Sequence, residues 1–149
     1  MFEIELKNSD EMTIRAKERV VNINVVQSTV DAGLKVGTIR GAGEYEIGDV
    51  IIIGKSLKSG GIMYRIDVDG IKIGLVGNTA SVEDLDELGP VDILGTSEAK
   101  FVSIIEPKIV IPMGNMDFAE IKATVKTEKK LKIKNASALP AVMEVWKLD

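Results

Sequence analysis

At 149 residues, with 45% hydrophobic and 28% charged side chains, the chain has the size and balance of a single domain spanning 1–149, one able to bury roughly 70% of its unfolded surface. It holds no cysteine and no histidine, which excludes disulfides, thiolate nucleophiles, Cys- or His-ligated zinc and iron, and every triad built on imidazole. A net charge of -4 excludes a general attraction to nucleic acid or anionic lipid, and with no membrane-length apolar run and no signal segment a soluble cytoplasmic protein is expected.

Phe2, Ile4 and Leu6 alternate with Glu3 and Glu5, the period of a half-buried strand. Asn8-Ser9-Asp10 is turn chemistry and Met12 to Ala16 alternates again, so residues 1–16 read as a hairpin. Val20 to Val26 is apolar nearly throughout, as expected of a strand covered on both faces. Residues 27–34 break the pattern and end in Gly33. Strand pattern resumes at Val36 to Arg40, turns through Gly41-Ala42-Gly43 and continues from Tyr45 to Ile53 around a Gly48-Asp49 corner.

Lys55 to Gly61 reads as a flexible basic loop, and the hairpin after it pivots on Asp69-Gly70. Ser81, with Asp84 three residues on, caps a helix whose Val82, Leu85 and Leu88 share a face; Gly89-Pro90 stops it. Val91 to Leu94 is a short buried strand. Ser97 is expected to cap a second helix carrying Phe101, Ile104 and Ile105, which ends before Pro107. Lys108 to Pro112 is another buried strand, and Asp117 to Ala123 reads as a third short helix with Phe118 and Ile121 inward. A lysine-rich strand at Leu131 to Ile133 and a closing strand from Ala141 to Leu148, with Trp146, complete the chain. Many strands with few short helices predict an α+β fold: two packed, mostly antiparallel β-sheets with short external helices.

Several of these segments stand together in a known order. Gly41-Ala42-Gly43-Glu44-Tyr45-Glu46-Ile47, the Asp69-Gly70 hairpin, the Gly77-Asn78 corner, DELGPVDIL at 86–94 and EPKIVIPM at 106–113 resemble the metallo-β-lactamase-fold hydrolases. The short branch related to ascorbate-6-phosphate lactonase is the most similar. The resemblance runs from about Val20 to Asn115 and implies a reduced αββα sandwich.

In that family the metal site is built from loop ends, and the resemblance implies which residues stand there now. An HxHxDH motif corresponds to Gln27-Ser28-Thr29-Val30-Asp31-Ala32, so Gln27, Thr29 and Ala32 take histidine positions and Asp31 alone is retained. The metal-bridging aspartate corresponds to Asn78, and the histidine after the IPM strand to Gly114, with Asn115 beside it. A further histidine of the loop matching 55–61 is absent. A catalytic zinc takes about three protein ligands to bring its bound water near pKa 7. One aspartate among neutral side chains falls short of that.

Other motifs have plainer readings. Ser97-Glu98-Ala99-Lys100 spells SxxK but lacks its companion motifs, and Ser97 is explained as a helix cap. Gly41-Ala42-Gly43 lacks the third glycine, helix and lysine of a phosphate loop. Glu83, Asp84, Asp86 and Glu87 suit a helix N-terminus. Lys126, Lys129, Lys130, Lys132 and Lys134 suit a guarded sheet edge, and Trp146 suits a core or a subunit contact.

The expected protein is therefore a pseudoenzyme: inactive, without metal or other cofactor and with no catalytic residue. Its vestigial pocket would be formed by Gln27, Thr29, Asp31, Ala32, Asn78, Gly114 and Asn115. A small polar ligand and a homo-oligomer are its expected partners, with neither nucleic acid nor membrane. The alternative is a working hydrolase with magnesium or manganese on carboxylates, or with ligands from a partner chain. It needs at least two carboxylates to converge beside Asp31, with Asp67, Asp117 and Glu98 as the candidates. A plain scaffold domain would instead show a large apolar interface.

Overall fold

The structure, a computed structural model, describes residues 1–33 and 37–149. Alternation builds the first sheet. Pairing β1 (Phe2–Asn8) with β2 (Glu11–Ala16) sets Phe2 opposite Ala16, Ile4 opposite Ile14 and Leu6 opposite Met12, so all six side chains share one face. β3 (Arg19–Asn24) extends that row with Val21 and Ile23, β4 (Thr29–Asp31) with Val30, and β5 (Thr38–Arg40) with Ile39. On the other side of β1, β13 (Leu131–Ile133) adds Leu131 and Ile133. The result is an antiparallel sheet in the order β13-β1-β2-β3-β4-β5.

Gly41-Ala42 then carries the chain out of this sheet and into β6 (Gly43–Ile47), the edge of the second. β7 (Val50–Ser56), β8 (Ile62–Val68) and β9 (Ile71–Val76) follow as antiparallel hairpins. From β9 onward the strands run parallel: β10 (Ile93–Thr96), β11 (Ile109–Pro112), β14 (Glu144–Leu148) and β12 (Thr124–Glu128). Parallel neighbours need crossover connections. Two of these are α1 (Val82–Leu88), between β9 and β10, and α2 (Lys100–Ile105), between β10 and β11.

The two sheets bury Phe2, Ile4, Ile14, Ile52, Ile66 and Ile73 between them. On the far side of the second sheet, Leu85, Leu88, Phe101 and Val102 of the helices cover Val76, Leu94, Val110 and Val145. β10 is thus buried on both faces, which is why its sequence shows no alternation. Gly95 of β10 faces the first sheet, with Met12 Cε close against it. A Cβ there would stand 2.7 Å from Leu75 Cδ2 and 2.9 Å from Met12 Cε, so a larger residue would make the ends of those side chains shift.

The expected α+β sandwich is present, with helices outside one sheet only. That asymmetry corrects the reading of Val20 to Val26. Val20 is 39% exposed because it sits on the open outer face of β3, and Val26, 70% exposed, lies beyond the strand in the turn that follows it. Residues 117–123 form a loop and no helix. Asp117 Oδ1 accepts the Ala119 N–H, an Asx turn that competes with helix formation, while Phe118 and Ile121 still pack inward. α2 begins later than expected: Ala99 is its N-cap and makes no side-chain bond, so Ser97 is not the cap. Thr96 Oγ1 accepts the Glu98 N–H at 3.2 Å and turns the chain before the helix starts. Among the described residues no helix is long and apolar enough to cross a membrane.

Candidate functional site

Parallel strands bring their carboxyl ends to one end of a sheet, and that is where side chains from separate loops meet. Here β9 ends in Gly77-Asn78-Thr79, β10 in Ser97-Glu98 and β11 in Met113-Gly114-Asn115, and all three ends line one cavity of about 760 Å³. The first sheet supplies the opposite wall through its Ser9-Asp10 and Val25-Val26 turns, and Gly60-Gly61 closes a side.

Local bonds hold each wall. Asn8 Oδ1 accepts the Asp10 N–H at 2.9 Å, and Asn24 Oδ1 accepts those of Val26 (3.0 Å) and Gln27 (2.9 Å). The two turns are joined where the Val25 N–H donates to Asp10 O at 2.9 Å. In the second sheet, the Met113 N–H donates to Thr96 O at 2.9 Å.

The 57–61 loop is tied down as well. Ser59 Oγ donates to Thr79 O at 2.7 Å, the Lys58 ammonium pairs with Glu83, and the Lys58 N–H reaches Asp84 Oδ1 at 3.4 Å. Asp84 is 3% exposed and completes a capping box with Ser81: its Oδ2 accepts the Ser81 N–H at 2.8 Å. That bond, with the Ser81 hydroxyl and the Lys58 N–H, holds the Asp84 carboxyl below its usual range. α1 therefore fixes the loop that walls the cavity, and its acidic first turn is taken up in structure.

Of the seven residues expected at the pocket, Asn78, Gly114 and Asn115 line the cavity. Gln27, Thr29, Asp31 and Ala32 do not. Thr29 and Asp31 are drawn into β4, where Asn24 and Asn22 pair with them. Asp31 Oδ1 accepts the Gly33 N–H at 3.0 Å, a turn-forming bond. Their segment reaches the rim only at Ser28, whose Oγ would lie 3.9 Å from a Cβ at Gly61.

The carboxylates proposed to converge on Asp31 do not form a set with it. Asp67 lies 3.4 Å from Arg65 Nε, Asp117 caps a turn, and Glu98 alone of the three lines the cavity. Among the described residues no group of three or more His, Cys, Asp or Glu could hold a metal ion. The lining offers amides at Asn78 and Asn115, hydroxyls at Ser9, Thr79 and Ser97, and carboxylates at Asp10 and Glu98. That donor set does not fit a zinc site, which takes three or four converging His, Cys or carboxylate ligands.

The sequence did not point to Ser9, Asp10, Val25 or Val26 as cavity residues. The turn signal at Asn8-Ser9-Asp10 was visible. What brings it to the site is the pairing of the sheets, which no local pattern encodes.

The lysine set lies along both sheet edges. Lys126 on β12 sits 3.1 Å from Glu144 and 5.1 Å above the Trp146 ring, while Lys130 and Lys132 share Glu3 at 3.6 and 3.8 Å. Lys100 lies 5.4 Å from the Phe101 ring.

No family model matches the chain, and neither does any curated protein. Among solved structures, a Thermotoga maritima chain, described as a candidate Zn-dependent hydrolase of the metallo-β-lactamase superfamily, matches with a TM-score of 0.72. The match covers 100% of both chains at 14% identity. At that identity the likeness is one of fold, and the sandwich is metallo-β-lactamase-like.

Proposed function

We propose that this chain is a catalytically inactive pseudoenzyme on a metallo-β-lactamase-like scaffold, related to the short ascorbate-6-phosphate lactonase branch. On this reading it works without metal, by binding a small polar molecule in the cavity or by assembling with copies of itself. The observation that carries the reading is the donor set at the strand ends. Where the resemblance implies an aspartate and a histidine, Asn78 and Gly114 stand at the cavity, and no histidine exists anywhere in the chain. Neutral amides are poor ligands for zinc, and two carboxylates from opposite sheets leave a zinc ion short of the three or more protein ligands it takes. The cavity is of the size and partly polar character that suits a small molecule.

Elemental analysis of protein purified without chelators tests this. The expected content is below about 0.1 zinc, iron or manganese per chain, since among the described residues no group of three or more His, Cys, Asp or Glu is placed to retain one. A stoichiometric metal would overturn the proposal.

A further inference from the structure

Charge is distributed unevenly between the walls of the cavity and the rest of the surface. The chain carries 19 lysine and arginine residues, yet none lines the cavity among the described residues. Its two charged lining residues are both acids, Asp10 from the first sheet and Glu98 from the second. Lys58, in the loop that closes one side of the cavity, is engaged by Glu83. No aromatic side chain lines the cavity either.

These facts select among ligands. An anion would enter between two carboxylates with no cation among the described lining residues to meet it, which like-charge repulsion opposes. A quaternary ammonium would find no ring face to sit against. An N–H-bearing cation would find carboxylate, amide and hydroxyl oxygens as acceptors on both walls. We infer that the cavity binds a primary amine or guanidine, with Asp10 and Glu98 holding its cationic nitrogen between the two sheets. The inference rests on the reading of this cavity as a binding site and names its ligand class.

Titrating ¹⁵N-labelled protein with agmatine, putrescine, tetramethylammonium and citrate in separate NMR experiments tests it. Agmatine or putrescine is expected to shift the amides of Gly77, Asn78, Gly114 and Asn115 saturably. In Asp10→Asn and Glu98→Gln, two variants checked for an unchanged Tm, the Kd is expected to rise about tenfold each, as for loss of a charge-assisted hydrogen bond. Should citrate or tetramethylammonium shift these amides more tightly than either amine, the ligand class is wrong while the cavity remains a binding site. Should none of the four probes move them, both the ligand class and the binding reading fail. Equal affinity in wild type and both variants would also overturn the role given to the two acids.

Discussion

Tyr64 illustrates how a side chain can be placed by pattern and still carry a local penalty. Its position on β8 puts it among the inward residues of the sheet, 1% exposed, and its hydroxyl has no hydrogen-bond partner among the described residues. Burial, and to a lesser degree the neighbouring Tyr45, pushes its pKa up to about 12. Removing an unsatisfied buried hydroxyl relieves a desolvation cost, so Tyr64→Phe is expected to leave stability unchanged or raise it by about 1 kcal/mol. The pH behaviour has a definite sign. The folded pKa lies above the unfolded value of about 10, so the unfolded chain loses its proton first and stability falls as pH rises from roughly 10 to 12. Denaturant melts across that window should show the fall in wild type and a smaller one in Tyr64→Phe; parallel curves would contradict the assignment. At the site itself, Asn78, Gly114 and Asn115 were reached through the family resemblance, whose segments around them keep their order and spacing, and all three line the cavity. Gln27, Thr29, Asp31 and Ala32 were not, because a three-residue strand is too short to show a period, and pairing with β3 decides where those side chains go.

Among the elements, those that carry their own local chemistry were the readable ones. α1 has Ser81 and Asp84 at capping-box spacing, and the structure contains the box. Ser81→Ala is expected to destabilise the protein by about 1 kcal/mol, the usual cost of a lost N-cap, read as a lower midpoint in urea with unchanged slope. Asp84 gives a pH-dependent companion. Its folded pKa is depressed, so its contribution is present above the ordinary carboxylate range and disappears as pH falls through the folded value. The stability gap between wild type and Asp84→Asn should therefore narrow as pH is lowered from 7 toward 3. A gap that stays constant would show that the charged form is not the one selected. α2 and the 117–123 segment were misread for a shared reason. In both, a short polar side chain bonds the backbone two residues on, Thr96 to Glu98 and Asp117 to Ala119, and a turn replaces the expected helical start. β12 escaped notice because all five of its residues are exposed, leaving no hydrophobic period to find.

Taken whole, the molecule joins two sheets of unlike construction. One is wholly antiparallel with a polar outer face; the other turns parallel at β9 and needs helices to cover it. Composition and alternation announced both sheets, yet the order of strands and the meeting of six loop and turn segments at one end arise from contacts far apart in sequence, which single-chain patterns do not contain. The parallel half is what creates a cavity at its strand ends, and on the proposed reading the scaffold has kept that cavity while its ligand set has become neutral amides, hydroxyls and two acids. Zinc titration by isothermal calorimetry, repeated on an Asn78→Ala/Asn115→Ala double variant, tests this most directly. The account predicts no saturable one-to-one zinc binding at micromolar concentration in either protein, since fewer than about three ligands converge. Stoichiometric binding by the wild type that the double variant loses would contradict it.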